Sequence, residues 1–361
     1  MDGVLFNKRQ DTIIKYPTDR IGSYVIPNSV TNIGFAAFSD STSLTNITLG
    51  RVLSIGDWAF WGCTGLTNVT ITDSVTDLGI SAFGGCSSLT NVTIGTGVIS
   101  IGWQGFYGCT SLASVAIPSS VKSIEQHAFS RCTGLTSITI PESVTNVGSS
   151  AFSGCNSLTS IEVAALNPAY ISLNGVLFTK NQDTIIKYPA GRVGSYAIPN
   201  IVASVGMFAF EGCTGLINVT IPQSVTRIRD RAFVGCDNLT GAYFEGSAPS
   251  LGSDVFTNSH LATIYYLPGT TGWGPTFAGR PTAIWKPKVQ ADDASFGLQA
   301  GRFGFNIAWA SDQVVLVEAC ADLVNPTWFL VGTNTLVGGS SYFGDPESAN
   351  GPQRFYRLRS P

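Results

Sequence analysis

The chain has 361 residues and a formal net charge of −3, and only 12% of its residues are charged. This composition excludes the basic footprint of a nucleic-acid-binding protein and the polybasic patch of a membrane-surface protein. No apolar run approaches the ~20 residues that a membrane-spanning helix needs, so we expect no transmembrane segment. The first residues, Met1–Phe6, lack the basic region and apolar stretch of a signal peptide.

The first predicted element is a β-hairpin insertion near residues 3–17, and a second lies near residues 175–189. The two are copies, because Gly3–Phe38 recurs as Gly175–Phe210 at an offset of 172 residues (175 − 3). A coil at residues 157–174 precedes the second copy and none precedes the first. We therefore expect the chain to be the C-terminal part of a longer protein whose export signal lies upstream.

The rest of the first 285 residues repeats with a fixed period. Cysteine recurs every 23 residues in two series, and an Ala-Phe or similar pair keeps the same spacing. A fixed period of this length predicts a solenoid of stacked coils. The cysteines are Cys63, Cys86, Cys109, Cys132 and Cys155 in the first series, and Cys213 and Cys236 in the second.

Each period combines one strand with one turn. In the coil that begins at Cys63, Leu66, Val69 and Ile71 have the spacing of a half-buried strand. One coil cannot bury this apolar side alone, but stacked coils can, because each side chain then lies on its counterpart ~4.8 Å away. Proline often follows the strand, as at Pro141, where a residue without an N–H donor is tolerated. The Ala-Phe pair on the opposite side predicts a short helical or 3₁₀ segment.

The repeated unit resembles the BspA-like leucine-rich repeats, also called the Treponema pallidum type. The resemblance is carried by C-x-x-L-T-x-V-x-I-P-x-S-V-x-x-I-G-x-x-A-F units, as in Cys132–Phe152, and covers most of the chain. It implies a mainly β protein, with a leucine-rich-repeat solenoid of about 23-residue coils at residues 1–285. It also implies a bacterial protein that is secreted or located at the cell surface.

The same resemblance implies binding without catalysis. We expect a non-catalytic, monomeric scaffold that mediates adhesion through a protein or glycan ligand and uses no cofactor. The alternative is a structural spacer or envelope-attachment module that displays the C-terminal β-domain.

The repeat pattern decays before the C-terminus. Residues 246–285 predict a cap, because a terminal repeat must cover an exposed core end. The polar, proline-containing stretch 286–295 predicts a linker. Residues 296–361 contain short strand patterns separated by turn signals, which predict a small antiparallel β-sandwich. This region resembles the C-terminal β-domains of large exported proteins in Verrucomicrobia-like bacteria.

The cysteine series predicts packing and not metal chemistry. A zinc site needs four ligands around one point, usually with a C-x₂₋₄-C spacing, and the sequence contains no such spacing. We expect each cysteine to be a small inward-facing residue with a free thiol. No metal or cofactor site is predicted.

Catalysis is not predicted either. The chain has two histidines, His127 and His260, and His127 shares its column with varied residues of other coils. The G-x-S-x-G, P-loop and H-E-x-x-H motifs are absent from the sequence. We therefore predict that the protein is not an enzyme.

Aromatic residues that depart from the repeat form the candidate ligand-contact patch. Trp58, Trp61, Trp103 and Tyr107 flank the Ala-Phe turns. Trp61 and Tyr107 share a column two coils apart with Gly84 between them, which predicts a separation of ~10 Å and a notch above the glycine. Exposed aromatic residues on a rigid frame are common binding anchors. The alternative is that these rings pack over the turn edges.

Overall fold

The computed structural model describes residues 3–299, 301–348 and 353–361, and the regular elements in these residues are all β-strands. In chain order the first strands are β1 (Leu5–Phe6), β2 (Thr12–Lys15), β3 (Gly22–Val25), β4 (Asn32–Ile33), β5 (Leu44–Thr48), β6 (Ser54–Ile55), β7 (Asn68–Ile71), β8 (Asp77–Leu78), β9 (Asn91–Ile94), β10 (Ser100–Ile101), β11 (Ser123–Ile124), β12 (Ser137–Ile140), β13 (Asn146–Val147), β14 (Ser160–Val163), β15 (Tyr170–Leu173), β16 (Val176–Thr179) and β17 (Thr184–Lys187). The remaining strands are β18 (Gly194–Ala197), β19 (Ser204–Val205), β20 (Leu216–Ile221), β21 (Arg227–Ile228), β22 (Gly241–Phe244), β23 (Ser250–Leu251), β24 (Thr263–Tyr266), β25 (Thr276–Phe277), β26 (Arg280–Ile284), β27 (Lys288–Gln290), β28 (Gly297–Gln299), β29 (Arg302–Ala308), β30 (Val314–Cys320), β31 (Phe329–Thr335), β32 (Ser340–Gly344) and β33 (Phe355–Arg359).

The chain forms two compact units. The boundaries expected from the sequence, with the solenoid ending at residue 285 and the β-domain beginning at residue 296, remain predictions. The first unit comprises Met1–Ala242, Pro249–Thr263 and Ala278–Arg280, and the second comprises Tyr243–Ala248, Ile264–Phe277 and Pro281–Pro361.

In the first unit the longer strands form parallel sheets in which neighbours come from consecutive coils. Strands β3, β5, β7 and β9 form one sheet, β12 pairs with β14, and β18 pairs with β20. The register joins equivalent residues, so that Asn68 lies opposite Asn91 and Ile71 lies opposite Ile94. Because side chains alternate between the faces of a strand, Ile71 is buried and Asn68 is exposed. The predicted stacking of equivalent residues is confirmed.

A second row of two-residue strands runs along the same coils and starts at the hairpins. One sheet has the order β1-β2-β4-β6-β8, and another has the order β15-β16-β17-β19-β21-β23. Both predicted hairpins are confirmed, since β1 lies antiparallel to β2 and β16 lies antiparallel to β17. The strands that follow each hairpin are parallel to one another.

The side of each coil that carries the Ala-Phe pair consists of consecutive turns, and the predicted helical segment is wrong. In one coil, the N–H groups of Ala59 and Cys63 donate to carbonyls three residues earlier. The N–H groups of Trp58, Phe60 and Gly62 donate to carbonyls of the next coil at 2.7–2.8 Å. An α-helix or a 3₁₀-helix would use consecutive N–H groups for its own i−4 or i−3 carbonyls, so the bonds that every second donor makes to the next coil exclude both.

The residue before each Ala-Phe pair adopts a left-handed conformation although it is not a glycine. This conformation costs an L-residue ~1–2 kcal/mol, and most of these residues donate their N–H to the next coil. The φ values lie between 49° and 61° at Ala36, Trp58, Ser81, Gln104, His127, Ser150, Phe208, Arg231 and Asp254.

The backbone hydrogen bonds that join the Ala-Phe turns of neighbouring coils run in one direction, with the earlier coil donating and the later coil accepting. The first turn after each hairpin therefore presents carbonyl groups toward that hairpin. A lysine donates to them in both copies: Lys15 Nζ lies 3.1 Å from Ala36 O, and Lys187 Nζ lies 3.0 Å from Phe208 O.

Stacked phenylalanine rings form the centre of the first unit. The centroids of Phe60 and Phe83 are 5.0 Å apart at an interplanar angle of 3°, and those of Phe83 and Phe106 are 5.6 Å apart at 6°. Each such pair adds ~0.5–1.5 kcal/mol beyond the burial of its area. The stack continues through Phe129 and Phe152 and is resumed by Phe210, Phe233 and Phe256.

The periodic cysteines of the first unit are buried with this stack as predicted, and they and Cys320 of the second unit have free thiols. Most thiols donate to a phenylalanine carbonyl of the preceding coil, as Cys86 Sγ does to Phe60 O at 3.2 Å. Ser259 takes this place in a later coil, where its Oγ donates to Phe233 O at 2.6 Å. Ser41 takes it in an early coil, but its buried Oγ has no hydrogen-bond partner among the residues that the structure describes.

The second unit contains the predicted antiparallel β-sandwich. Strand β29 pairs with β27, β28 and β32, and β30 pairs with β31 and β33. Phe305, Val317 and Phe343 are buried in its core. Within the stretch 286–295, residues Lys288–Gln290 form β27, so this stretch contributes a strand to the sheet.

The two serines of the cysteine column give a matched pair of stability predictions. Ser259→Ala should lower the free energy of unfolding by ~1–3 kcal/mol, because Phe233 O and the Cys236 N–H both lose the Ser259 hydroxyl. Ser41→Ala should leave it unchanged or raise it by ~1 kcal/mol, because the lost hydroxyl is buried without a partner. Urea unfolding of both variants measures the difference, and equal destabilisation would contradict the assignment.

The buried thiols predict a loss of stability at alkaline pH. Burial raises the pKa of the Cys63 thiol from 9.0 to about 12, and burial raises the pKa values of Cys86 and Cys109 well above 9.0. The folded chain keeps the neutral thiols while the unfolded chain ionises, so their stabilisation is complete below pH 9.0 and is lost as the pH rises toward 12. We expect the urea midpoint to fall over this range, and to fall less when Cys86 and Cys109 are replaced by Ala. Identical pH curves for the variant and the parent would contradict this explanation.

Candidate functional site

The four predicted ligand-contact residues lie in the turns of two coils. Trp58 and Trp61 flank the buried Phe60, while Trp103 and Tyr107 belong to the coil two periods later. Trp58 and Trp103 are 42% and 39% exposed, and Trp61 and Tyr107 are half-buried. The inter-coil bonds of the turns fix the backbone beneath these side chains.

Three of these residues form a continuous row of rings with Phe35. The ring centroids of Phe35 and Trp58 are 6.5 Å apart, those of Trp58 and Trp61 are 5.4 Å apart, and those of Trp61 and Tyr107 are 6.2 Å apart. We call Phe35, Trp58, Trp61 and Tyr107 the aromatic strip. The Arg131 guanidinium lies 5.6 Å from the Tyr107 ring centre, in cation–π contact at the end of the strip.

Trp103 makes a different contact. Its ring lies edge-on to His127, with centroids 6.4 Å apart. Trp103 is also exposed. It lies on the same turn side of the coils as the strip, but its ring partner is His127 and not a residue of the strip.

The predicted notch above Gly84 is absent, and that prediction is wrong. The rings of Trp61 and Tyr107 stack at 6.2 Å with an interplanar angle of 15°, closer than the ~10 Å that two coil spacings allow between their backbones. A Cβ atom on Gly84 would lie 2.3 Å from Cε3 and Cζ3 of Trp61. The Trp61 ring therefore lies across the glycine and fills the space.

Phe35, which is 72% exposed, was not predicted from the sequence as part of this patch. Phe35 shares its column with Asp57, Ile80 and Trp103 of the following coils. Ile80 is 42% exposed, so this column presents three apolar side chains. A comparison of that column between coils would have identified Phe35, because the inward-facing aromatic residue of its coil is Phe38.

The coils that carry the strip are acidic. No Lys, Arg or His occurs between Arg51 and Lys122, and the charged residues in that stretch are Asp57, Asp73 and Asp77. Trp58, Trp61 and Tyr107 thus belong to a stretch of sequence whose charged residues are all aspartates, while Arg131 of the following coil contacts Tyr107.

Two of these carboxylates line a groove beside the strip. The groove has a volume of about 550 Å³, and Asp57, Asp77 and Ile99 are among its lining residues. Asp57 Oδ1 accepts the Ile80 N–H at 2.7 Å, and Asp77 Oδ2 accepts the Thr76 hydroxyl at 3.0 Å. Each carboxylate keeps further acceptor capacity, so the groove suits cationic or hydrogen-bond-donating groups.

The side chains of the candidate site are aromatic rings and, in the groove, two aspartates. Among the described residues, no three His, Cys, Asp or Glu side chains come together in a group that could hold a metal ion. The raised pKa of the Cys63 thiol, caused mainly by burial, keeps that thiol protonated at neutral pH. In the described part of the chain, no helix has the length and hydropathy needed to cross a membrane.

Solved structures of bacterial leucine-rich repeat proteins are similar to this chain. A leucine rich cell surface protein from Faecalibacterium prausnitzii A2-165 is 28% identical with a TM-score of 0.55, and the match covers 79% of this chain and 93% of that one. A leucine-rich repeat protein from Eubacterium ventriosum is 21% identical with a TM-score of 0.50, over 71% of this chain and 73% of that one. No curated protein matches the chain.

The repeats themselves match a sequence family. The BspA type leucine rich repeat region matches in 6 copies, over residues 15–115, 99–182 and 188–274. These ranges cover more than half of the chain, and the in-register coils of the first unit are the structure that such repeats require. The chain therefore belongs to the family of BspA type leucine-rich repeat proteins.

Proposed function

We propose that this protein is a non-catalytic scaffold at the bacterial cell surface or outside the cell, and that it binds a protein partner through the aromatic strip. The observation that carries the proposal is the row of stacked, partly exposed rings from Phe35 to Tyr107. The similar protein from Faecalibacterium prausnitzii is a cell surface protein, which supports the location.

The strip has the properties of an energetic centre in a protein interface. Trp and Tyr are enriched among residues whose truncation costs ≥2 kcal/mol of binding free energy, and such residues cluster on rigid, well-packed surfaces. The strip is rigid because its rings stack on one another and its turns are bonded to the next coil. A partner would bury Phe35 and Trp58 without having to order them first.

The charge around the strip supports a partner with basic residues. Asp57 and Asp77 line the adjacent groove, and the stretch between Arg51 and Lys122 has no cation to neutralise them. Arginine and lysine of a partner could pair with these carboxylates and lie on the exposed rings. The contact of Arg131 with Tyr107 shows this arrangement within the chain itself.

A protein partner is favoured over a glycan by the way the rings are arranged. A sugar ring stacks on a free aromatic face, but Trp61 lies between Trp58 and Tyr107 and shares its faces with them. The ring edges of the strip and the outer side of the Phe35 ring remain for contact with a ligand. Contacts of this kind suit the irregular apolar surface of a protein. Binding to a glycan array is the outcome that would reverse this choice.

The alternative function is a structural spacer that displays the C-terminal β-sandwich. A spacer needs no exposed aromatic strip, and nothing in its role depends on Trp58 or Trp61. The same variants therefore separate the two functions.

Replacement of the strip should abolish binding. We expect the full chain to capture a protein from arrays of purified surface and matrix proteins, and the variant Trp58→Ala/Trp61→Ala/Tyr107→Ala to bind it at least ~30-fold more weakly, the equivalent of ≥2 kcal/mol. Surface plasmon resonance on the captured protein measures the ratio. The control is Leu166→Ala/Val193→Ala, which removes two apolar residues that are 80% and 82% exposed elsewhere on the first unit. If both variants bind like the parent, the strip is not the site.

Gly84→Ala tests the stacking itself. The added methyl group would collide with the Trp61 ring, so we expect the ring to leave its stack on Tyr107 while the coil remains folded. Near-ultraviolet circular dichroism should change, far-ultraviolet circular dichroism should not, and affinity for the captured protein should fall. Ser39→Ala, in the same column of an earlier coil, is the control and should leave all three unchanged. An unaltered near-ultraviolet spectrum in Gly84→Ala would contradict the ring placement.

A further inference from the structure

The two copies of the hairpin sequence have the same local structure. In both, a β-bulge shifts the register at the same point, with Leu5 opposite Lys15 and Leu177 opposite Lys187. Gly3 and Gly175 have φ values of 77° and 75°. The copies therefore differ in what surrounds them and not in how they fold.

The surroundings of the two copies differ strongly. Leu5 is 55% exposed, whereas its counterpart Leu177 is fully buried. Phe6 is half-buried and Phe178 is fully buried. Leu5 and Phe6 of the first hairpin thus lie at a surface, whereas their counterparts in the second hairpin lie in the interior.

A leucine-rich coil covers the second copy. Strand β15 lies antiparallel to β16, with Tyr170 opposite Thr179 and Leu173 opposite Val176. The preceding strand of the same coil also contacts the hairpin, because the Ile161 N–H donates to Gly175 O at 2.9 Å. Arg192 holds this coil from the other side, where its Nε donates to Thr159 O at 2.7 Å.

The exposed face of the first copy retains the features that this coil uses. Val4, Leu5 and Phe6 match Val176, Leu177 and Phe178 in sequence. A groove of about 310 Å³ lies beside them, lined by Val4, Phe6 and Tyr24. Strand β1 ends its sheet in the order β1-β2-β4-β6-β8, so one of its edges has no strand neighbour in the described structure.

We infer that the edge of β1, with the exposed side chains of Leu5 and Ile14 and the half-buried Phe6 beside it, is a docking surface for one further leucine-rich coil, whose closing strand resembles β15 and adds antiparallel to β1. The register follows from the second copy: the residue equivalent to Tyr170 lies opposite Asn7, and the residue equivalent to Leu173 lies opposite Val4. Backbone bonds to the free edge supply affinity, and alternate apolar side chains supply specificity. This surface is separate from the aromatic strip and does not depend on the function proposed for it.

The test is a chain in which residues 133–174 are joined directly to Gly3, so that the junction repeats that of Asn174 with Gly175. Hydrogen exchange of the amides of residues 4–7 is the readout, and that of residues 176–179 in the same molecule is the internal standard. We expect the amides of residues 4–7 to exchange at least ~10-fold more slowly than in the parent chain and to approach the standard, because strand pairing protects an edge. A matched variant carrying Ile171→Asp and Leu173→Asp in the grafted segment should lose this protection.

The result that overturns the inference is unchanged exchange at residues 4–7 while residues 176–179 keep their protection. Protection of residues 176–179 shows that the rest of the chain is folded. A grafted segment that stays disordered on this folded chain therefore also counts against the inference. A second experiment tests whether the grafted coil covers Leu5, by placing Leu5→Asp in both the parent and the grafted chain. The substitution should have little effect on the thermal midpoint of the parent and should lower that of the grafted chain by ~5 °C or more.

Discussion

The structure of the first unit depends on in-register contact between equivalent residues of successive coils. Phe60 and Phe83 stack almost parallel at 5.0 Å, and the backbone bonds of the turns and strands join the same two coils. One coil has no core of its own, so each coil is stable only against its neighbours. Where a coil differs in length the stacked positions are still kept, since Phe38 and Phe60 are 22 residues apart (60 − 38) and their rings stack at 4.9 Å. This constraint explains why the inward-facing residues recur in every coil while the outward-facing residues vary.

The candidate site arises because the outward-facing residues at equivalent positions differ between coils, while the core of the coils stays the same. The column of Trp61 also holds Gly84 and Tyr107, and the alternation of large, small and large residues allows two rings to meet across an intervening coil. Later coils have Ser130 and Ser153 in the same column. The aromatic strip is therefore a local property of the early coils, and the core beneath it is the same as elsewhere in the unit.

The repeat made the architecture predictable from the sequence, and the exceptions have physical causes. Val69 and Ile71 alternate with polar residues, so strand β7 and its inward face follow from the pattern. The turn at Ala59–Phe60 was predicted to be helical because the donors that bond to the next coil are not visible in one period. The candidate site stays a prediction: the sequence named three residues of the aromatic strip, but it did not give side-chain directions, so the Trp61 ring over Gly84 and the contribution of Phe35 were missed. Residues 296–361 lack the repeat period, so the sequence predicted a small antiparallel β-sandwich there but not which strands pair.

The one-way bonding between the turns has an electrical consequence. In a β-sheet, alternate peptide groups point in opposite directions and their dipoles nearly cancel. In the turns of this protein, Trp58, Phe60 and Gly62 all donate toward the following coil, so these peptide dipoles add as they do along a helix. Each stretch of coils then has a partial negative pole at its first turn, and the ammonium groups of Lys15 and Lys187 lie at those two poles. The stack of coils thus has a built-in polarity that runs parallel to the chain and that its net charge of −3 does not reveal.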